Sequence, residues 1–160
     1  MARQASVHDV FLAMIDEAFE RRAWHGPTLR GSLRGVTAKE AAWRPGSGRH
    51  NIWELTVHAA YWKYVVRRRI MGGARASFLY AGTNWFRRPD SARQEGKWSD
   101  DVQLLVDEHR RLRDAISSLS PRVFDVRVRG RDTAAFTIRG IAAHDLYHAG
   151  QIQLLKRLQR

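Results

Sequence analysis

Helical periodicity is what most limits how this chain can fold. Apolar residues recur at helical spacing in four long stretches, each bounded by residues that start or stop helices. Residues 7–24, "VHDVFLAMIDEAFERRAW", align Val10, Phe11, Met14, Ile15 and Phe19 behind Ser6, a candidate N-cap. Gly26-Pro27 should end that helix. "PTLRGSLRG" reads as a short helical piece with Pro27 in its first turn. Thr37 then caps "AKEAAW", with Glu40 at the capping-box distance. "RPGSGRHN" is a loop. The second long helix, "IWELTVHAAYWKYVVRRRIMGG", follows Asn51 as N-cap and ends at Gly72. Residues 73–98 have weak periodicity and read as a long loop. Ser99 caps the third helix, "DDVQLLVDEHRRLRDAISSL", and Ser120-Pro121 stops it. "FDVRVRGR" alternates like a short strand and reads equally well as an extended loop. Thr137 opens the last helix, which runs nearly to Arg160. Four substantial helices without an internal repeat predict an all-α four-helix bundle, with residues 1–160 forming one domain.

Composition narrows the chemistry. The chain has no cysteine, which removes disulfides, thiolate nucleophiles, iron–sulfur clusters and cysteine-ligated zinc. The first twenty residues carry Asp9, Asp16, Glu17 and Glu20 and do not read as a signal peptide. No apolar run approaches the roughly 18 residues of a membrane span. The expectation is a soluble cytoplasmic protein without a membrane partner. The formal net charge is +12, almost all of it arginine, because the only lysines are Lys39, Lys63, Lys97 and Lys156. Such a balance attracts nucleic acid or anionic ligands. It also arises where arginine codons replace lysine codons wholesale. The arginines are spread over every helix and loop, and no DNA-reading motif is present.

The last helix contains "HDLYHAGQIQLLKR". His148 lies only about 40° round that helix from His144, on the same stripe as Ile141, Gln151 and Leu155. Two imidazoles at this spacing on an inward face can chelate one ion. Asp145, about 100° round from His144, points elsewhere. In the second long helix His58 is in line with Leu55, Trp62 and Val65, so a third imidazole also faces inward. Buried neutral imidazoles need either hydrogen-bond partners or a metal. Two readings therefore stand, core histidines with satisfied partners or a three-histidine metal site. His109, in "DEHRRLR", reads as a solvated surface residue, and His8, His25 and His50 flank termini and loops.

Three segments, "GSLRGVTAKEAAWRP" (31–45), "HNIWELTVHAAYWKY" (50–64) and "HDLYHAGQIQLLKR" (144–157), resemble the DinB/YfiT-like family, the DinB superfamily of metal-binding four-helix bundles. The resemblance rests on a histidine after a "WELxxH"-like start and on "HxxYHxGQI" in the last helix. It implies an up-down-down-up bundle in which His58, His144 and His148 bind a divalent metal, be it zinc, nickel, iron or manganese. It also implies a homodimer. The reaction it implies is that of a transferase using a low-molecular-weight thiol, or of a related isomerase or hydrolase, acting on a small-molecule substrate.

Other residues invite roles. Gln151 can hydrogen-bond a ligand or water, or simply pack; Gly150 can admit a close approach. Glu54, one turn before His58, can orient that imidazole, act as a base, or serve the helix N-terminus. Glu54 and Gln151 are the catalytic candidates. Trp53, Tyr61, Trp62 and Trp85 can line a pocket or fill the core. Arg67, Arg68 and Arg69 can grip an acidic group or lie solvated at a helix end. The rival functional readings are a nucleic-acid-binding helical protein with structural histidines, and a bundle that holds metal without catalysis.

Overall fold

The computed structural model describes residues 5–73, 77–88 and 94–160. Among them the chain is helical apart from one small β-ribbon. Helix α1, Val7–Phe19, is capped reciprocally: the Ser6 hydroxyl accepts from the Asp9 N–H, and the Asp9 carboxylate accepts from the Ser6 N–H. It ends five residues short of the periodic stretch 7–24. The Asp16 carbonyl accepts from the N–H groups of both Glu20 and Arg21, which closes the last turn and turns the chain away.

The short helix α2, Leu29–Ser32, is capped by the Thr28 hydroxyl and not opened by Pro27, which precedes the cap. Helix α3, Ala38–Ala42, has the expected Thr37–Glu40 capping box. Helix α4, Ile52–Met71, starts from the Asn51 side chain and ends on Gly72 at φ 60°, a left-handed conformation that glycine adopts without strain.

Helix α5, Glu95–Ser118, begins a full turn before Ser99, which lies inside it. Tertiary contacts hold the extra turn in place of a side-chain cap. The Glu95 carboxylate accepts the Ala38 N–H at the start of α3, and the buried Trp98 indole donates to the Val36 carbonyl. The rest of the expected 73–98 loop is irregular over 77–88; residues 74–76 and 89–93 lie outside the described set. After α5 come a 3-10 turn, Pro121–Asp125, and a two-stranded antiparallel ribbon of β1, Arg127–Arg129, and β2, Asp132–Thr133. Thr133 at the end of the ribbon caps helix α6, Ala134–Leu158. The expected opener, Thr137, sits one turn inside and donates its hydroxyl back to the Thr133 carbonyl.

α4 packs against α5 and α6, and α1 packs against α6 and α5, so the four long helices close a ring. Two apolar clusters fill it. One gathers Trp53, Leu55, Leu105 and Ile152 around the N-terminal half of α4. The other gathers Ile15, Val66, Ile70, Leu112, Ile116 and Ile138 around its C-terminal half. A polar layer separates them. Lys63 is 1% exposed and donates to Asp145, itself wholly buried, at 2.5 Å. Lys63 also approaches His109 Nδ1 at 3.5 Å, and His109 Nε2 meets Asp16 at 3.3 Å.

His109 is thus a core residue, contrary to the surface position expected for it. It shares the buried stripe of Leu105, Leu112 and Ile116, and its ring stacks on Phe19 at 3.9 Å. The charged neighbours in "DEHRRLR" conceal its helical phase. Burial, then the Lys63 charge, push its pKa down to about 2, so it stays neutral between the ammonium and the carboxylate.

Candidate metal centre

The three inward histidines meet at one point. His58, from the N-terminal half of α4, and His144 and His148, one turn apart on α6, turn their Nε2 atoms towards each other. His144 Nε2 lies 3.1 Å from His58 Nε2 and 3.0 Å from His148 Nε2. Ligand atoms of the three all fall within 4.8 Å of one another. Bonds of about 2.0–2.1 Å to a shared ion place neighbouring nitrogens about 2.9 Å apart at right angles and about 3.3 Å apart at the tetrahedral angle. The observed separations suit such an ion.

Tautomers decide between hydrogen bonding and metal binding. His58 Nδ1 is 2.7 Å from the Asn84 carbonyl oxygen, which only accepts, so the proton is on Nδ1. His148 Nδ1 donates to Gln151 Oε1 at 2.6 Å. Both rings therefore present Nε2 lone pairs to His144. A neutral His144 holds a single ring proton, which cannot satisfy both at full strength. His144 Nδ1, moreover, is buried without a partner. A cation between the three Nε2 atoms satisfies every lone pair at once, and the donor set suits it: neutral imidazole is a common ligand of divalent transition metals. Burial keeps the rings in that neutral form. It lowers His58 to about 4 and His144 to about 3, and it lowers His148 as well.

Residues around the group fix its rings. Gln151 orients His148, one of the openings the sequence left for it. The loop 77–88 supplies the rest. Asn84, at φ 67°, is the positive-φ non-glycine residue among the described residues. That conformation costs energy and aims its carbonyl at His58 while its side chain accepts from the Trp62 indole at 2.9 Å. Trp85 lies between two imidazoles, 3.9 Å from the His58 ring and 3.6 Å from His50, and covers one side of the group. The loop is pinned from behind. Buried Asp101 accepts from Tyr80 and Arg88, which flank Asn84 and Trp85 in sequence, and from the Trp53 indole.

Glu54 does not touch His58. Its oxygens accept from Arg44, at 2.5 and 2.9 Å, and from His50 at 2.9 Å. Burial raises its pKa, but those hydrogen bonds outweigh burial and hold the carboxyl below the usual range. Its link to the histidine group runs through the His50–Trp85–His58 stack. Asp145 turns away to Lys63, as its position on the helix predicts. Trp53 is core, and Gly150 is exposed with open space around it. A cavity of about 180 Å³ lined by Trp62, Arg69, Asp132, Phe136 and Gly140 opens beside His144.

Sequence reasoning passed over Asn84, placed His50 only at a loop, and left Trp85 as either pocket wall or core. The turn-rich "AGTNW" was the available signal, but nothing local says that its carbonyl meets a histidine 26 residues earlier.

The bundle interior brings three neutral imidazoles close enough together that they could hold a metal ion. The sequence profile of the DinB superfamily matches residues 21–152, and the chain belongs to that superfamily. No curated protein and no solved structure matches it.

Proposed function

We propose that His58, His144 and His148 hold a divalent transition-metal ion, and that the protein is a metal-dependent enzyme transferring a group to or from a low-molecular-weight thiol, or a related hydrolase or isomerase. The observation that carries the reading is the convergence of three Nε2 atoms whose other ring nitrogens are, for His58 and His148, already committed as donors. Such an ion supplies Lewis acidity and lowers the pKa of a water or thiol brought to it. The chain's own residues do the rest. Asn84 and Gln151 hold protons on Nδ1 and lone pairs inward. Trp85 shields one side from water, and the cavity beside His144 leaves another side open to a substrate.

With no cysteine in the chain, any thiol arrives as a cosubstrate. The arginines fit this reading better than nucleic-acid binding. Arg44, Arg67, Arg88, Arg110, Arg111 and Arg113 are each engaged with a carboxylate of the fold. No helix is long and apolar enough to cross a membrane among the described residues.

The test is turnover of an electrophile-plus-thiol panel by the protein loaded with zinc, nickel, iron or manganese. Activity with one metal, lost in His144→Ala, supports the reading. A metal-loaded protein inactive on every thiol and hydrolysis substrate would leave metal binding without catalysis.

A homodimer is part of the same proposal. Phe136, Gly140, Ala143, Tyr147, Gly150, Leu154 and Leu158 form an exposed stripe along α6, spaced three and four apart like a helix-packing seam. Light scattering of wild type and Tyr147→Glu tests it: dimer for the first, monomer for the second.

A further inference from the structure

Beyond the histidine group, the structure has a cleft of about 870 Å³ that none of the chemistry above uses. It lies where the C-terminal end of α4, the 77–88 loop and the β-ribbon meet. That size is typical of small-molecule sites. Its lining combines aromatic rings and cations with small residues. Tyr61, Tyr64, Phe78 and Tyr80 supply the rings, with Tyr61 and Phe78 edge to face at 5.4 Å. Arg68, Arg69 and Arg129 supply the charges, and no Asp or Glu is among the described lining residues.

The rings are held in place by contacts outside the cleft. The Tyr80 hydroxyl donates to buried Asp101, and Phe78 packs on Phe86. Arg69 is half-buried and its guanidinium lies over the Trp62 ring, 5.5 Å from the centroid. Burial, and next the Arg129 charge, push it below its ordinary pKa, with Asp132 offsetting part of that. Two guanidinium groups facing one cleft repel each other, and an anion between them removes the repulsion and gains charge-assisted hydrogen bonds. Flat apolar walls beside that anion site favour a planar, unsaturated body.

We propose that this cleft binds an organic anion with an aromatic or similarly flat portion, its acidic group held by Arg69 and Arg129 and its flat portion against Tyr61 and Phe78. Binding as such stands on the cleft alone. Its use as a substrate anchor rests on the metal reading. His58, Trp62, Val65 and Arg69 follow one face of α4, about 16 Å from first to last by helix rise. Arg69 also borders the smaller cavity beside His144, so the two spaces share a wall. A ligand gripped at Arg69 sits at the junction of the cleft and the space beside His144.

The experiment is calorimetric titration of the metal-free full-length protein with phenyl phosphate, inorganic phosphate and phenol. The expected result is that phenyl phosphate binds at least about tenfold more tightly than either fragment, because both halves of the cleft contribute. Arg69→Gln and Arg129→Gln should each weaken it about tenfold, while Arg122→Gln, a change at an exposed arginine outside the cleft, leaves it unchanged. His144→Ala should also leave it unchanged. The proposal is overturned if phenyl phosphate gives no binding up to about 1 mM. It is equally overturned if Arg122→Gln weakens binding as much as Arg69→Gln, the mark of diffuse charge, or if His144→Ala abolishes it, which places the ligand on the histidines. Zinc titration of Arg69→Gln separates the two claims. Wild-type zinc binding with lost phenyl phosphate binding supports the cleft without touching the metal site. Phenyl phosphate binding in a protein that takes no zinc supports the cleft and defeats the metal reading.

Discussion

The Lys63 layer and the histidine group are both polar and buried, and about 7.5 Å apart along α4 by helix rise. Their atoms are satisfied in opposite ways. In the layer, donors and acceptors alternate: the Lys63 ammonium meets Asp145 Oδ2 and His109 Nδ1, and His109 Nε2 meets Asp16, which Arg113 grips from outside. Asp145 Oδ1 is the exception, buried without a partner. In the histidine group the outer nitrogens of His58 and His148 are paired, while three inner nitrogens face each other with too few protons to go round. A layer that answers its own charges is part of the core. A group that leaves lone pairs convergent is one that a metal ion could satisfy, and the proposed function rests on it.

The largest test of that contrast is at Asp145. Asp145→Ala strands a buried ammonium and should cost about 3–5 kcal/mol in urea denaturation, enough to unfold a marginal domain. The double variant Lys63→Met with Asp145→Leu should recover most of it. A mild single variant would mean that water reaches the layer and that it is not core.

His144→Ala should behave the other way. The metal-free variant should melt within a few degrees of wild type, since it also relieves the crowded lone pairs, yet its zinc affinity in calorimetry should fall more than about 100-fold, beyond what loss of an outer partner causes. Severe destabilisation without metal would make the group a structural cluster like the layer.

Gln151→Ala sharpens the role of the outer partners. It should weaken zinc binding by about 10–100-fold through misorientation of His148, with the stoichiometry kept. No change would return Gln151 to simple packing.

The smallest effect concerns pH. His109 is held near 2 when folded and titrates near 6.5 when unfolded, so between those values the unfolded chain takes up a proton that the folded chain refuses. The contribution of His109 to stability is therefore complete above about pH 7 and is lost as pH falls below 6.5, by about 1.4 kcal/mol per pH unit. Metal-free His109→Gln should lose stability less steeply than wild type by that amount between about pH 6 and 5. Parallel profiles would show that His109 is protonated in the fold.

Much of this was legible in the chain. The caps at Ser6, Thr37 and Asn51 and the glycine stop at Gly72 are local devices, and local pattern finds them. The inward faces of His58, His144 and His148 follow from helical phase alone. What was not legible is what other elements decide. The first turn of α5 depends on Ala38 and Val36, some 60 residues away. The start of α6 depends on a ribbon of five residues whose pairing has little pattern to show. His109 looked exposed because charges surround it in sequence while Phe19 and Lys63 surround it in space. Asn84 and Trp85 sit in a segment without periodicity, and their importance lies in where the loop is pinned.

The most direct test of the central claim is zinc titration of tag-free wild type beside the His58→Ala/His144→Ala/His148→Ala variant. The account predicts about one ion per chain in wild type, with a raised melting temperature, and none in the variant. A wild type that takes up no zinc, nickel, iron or manganese, or a variant that binds as tightly as wild type, would contradict it.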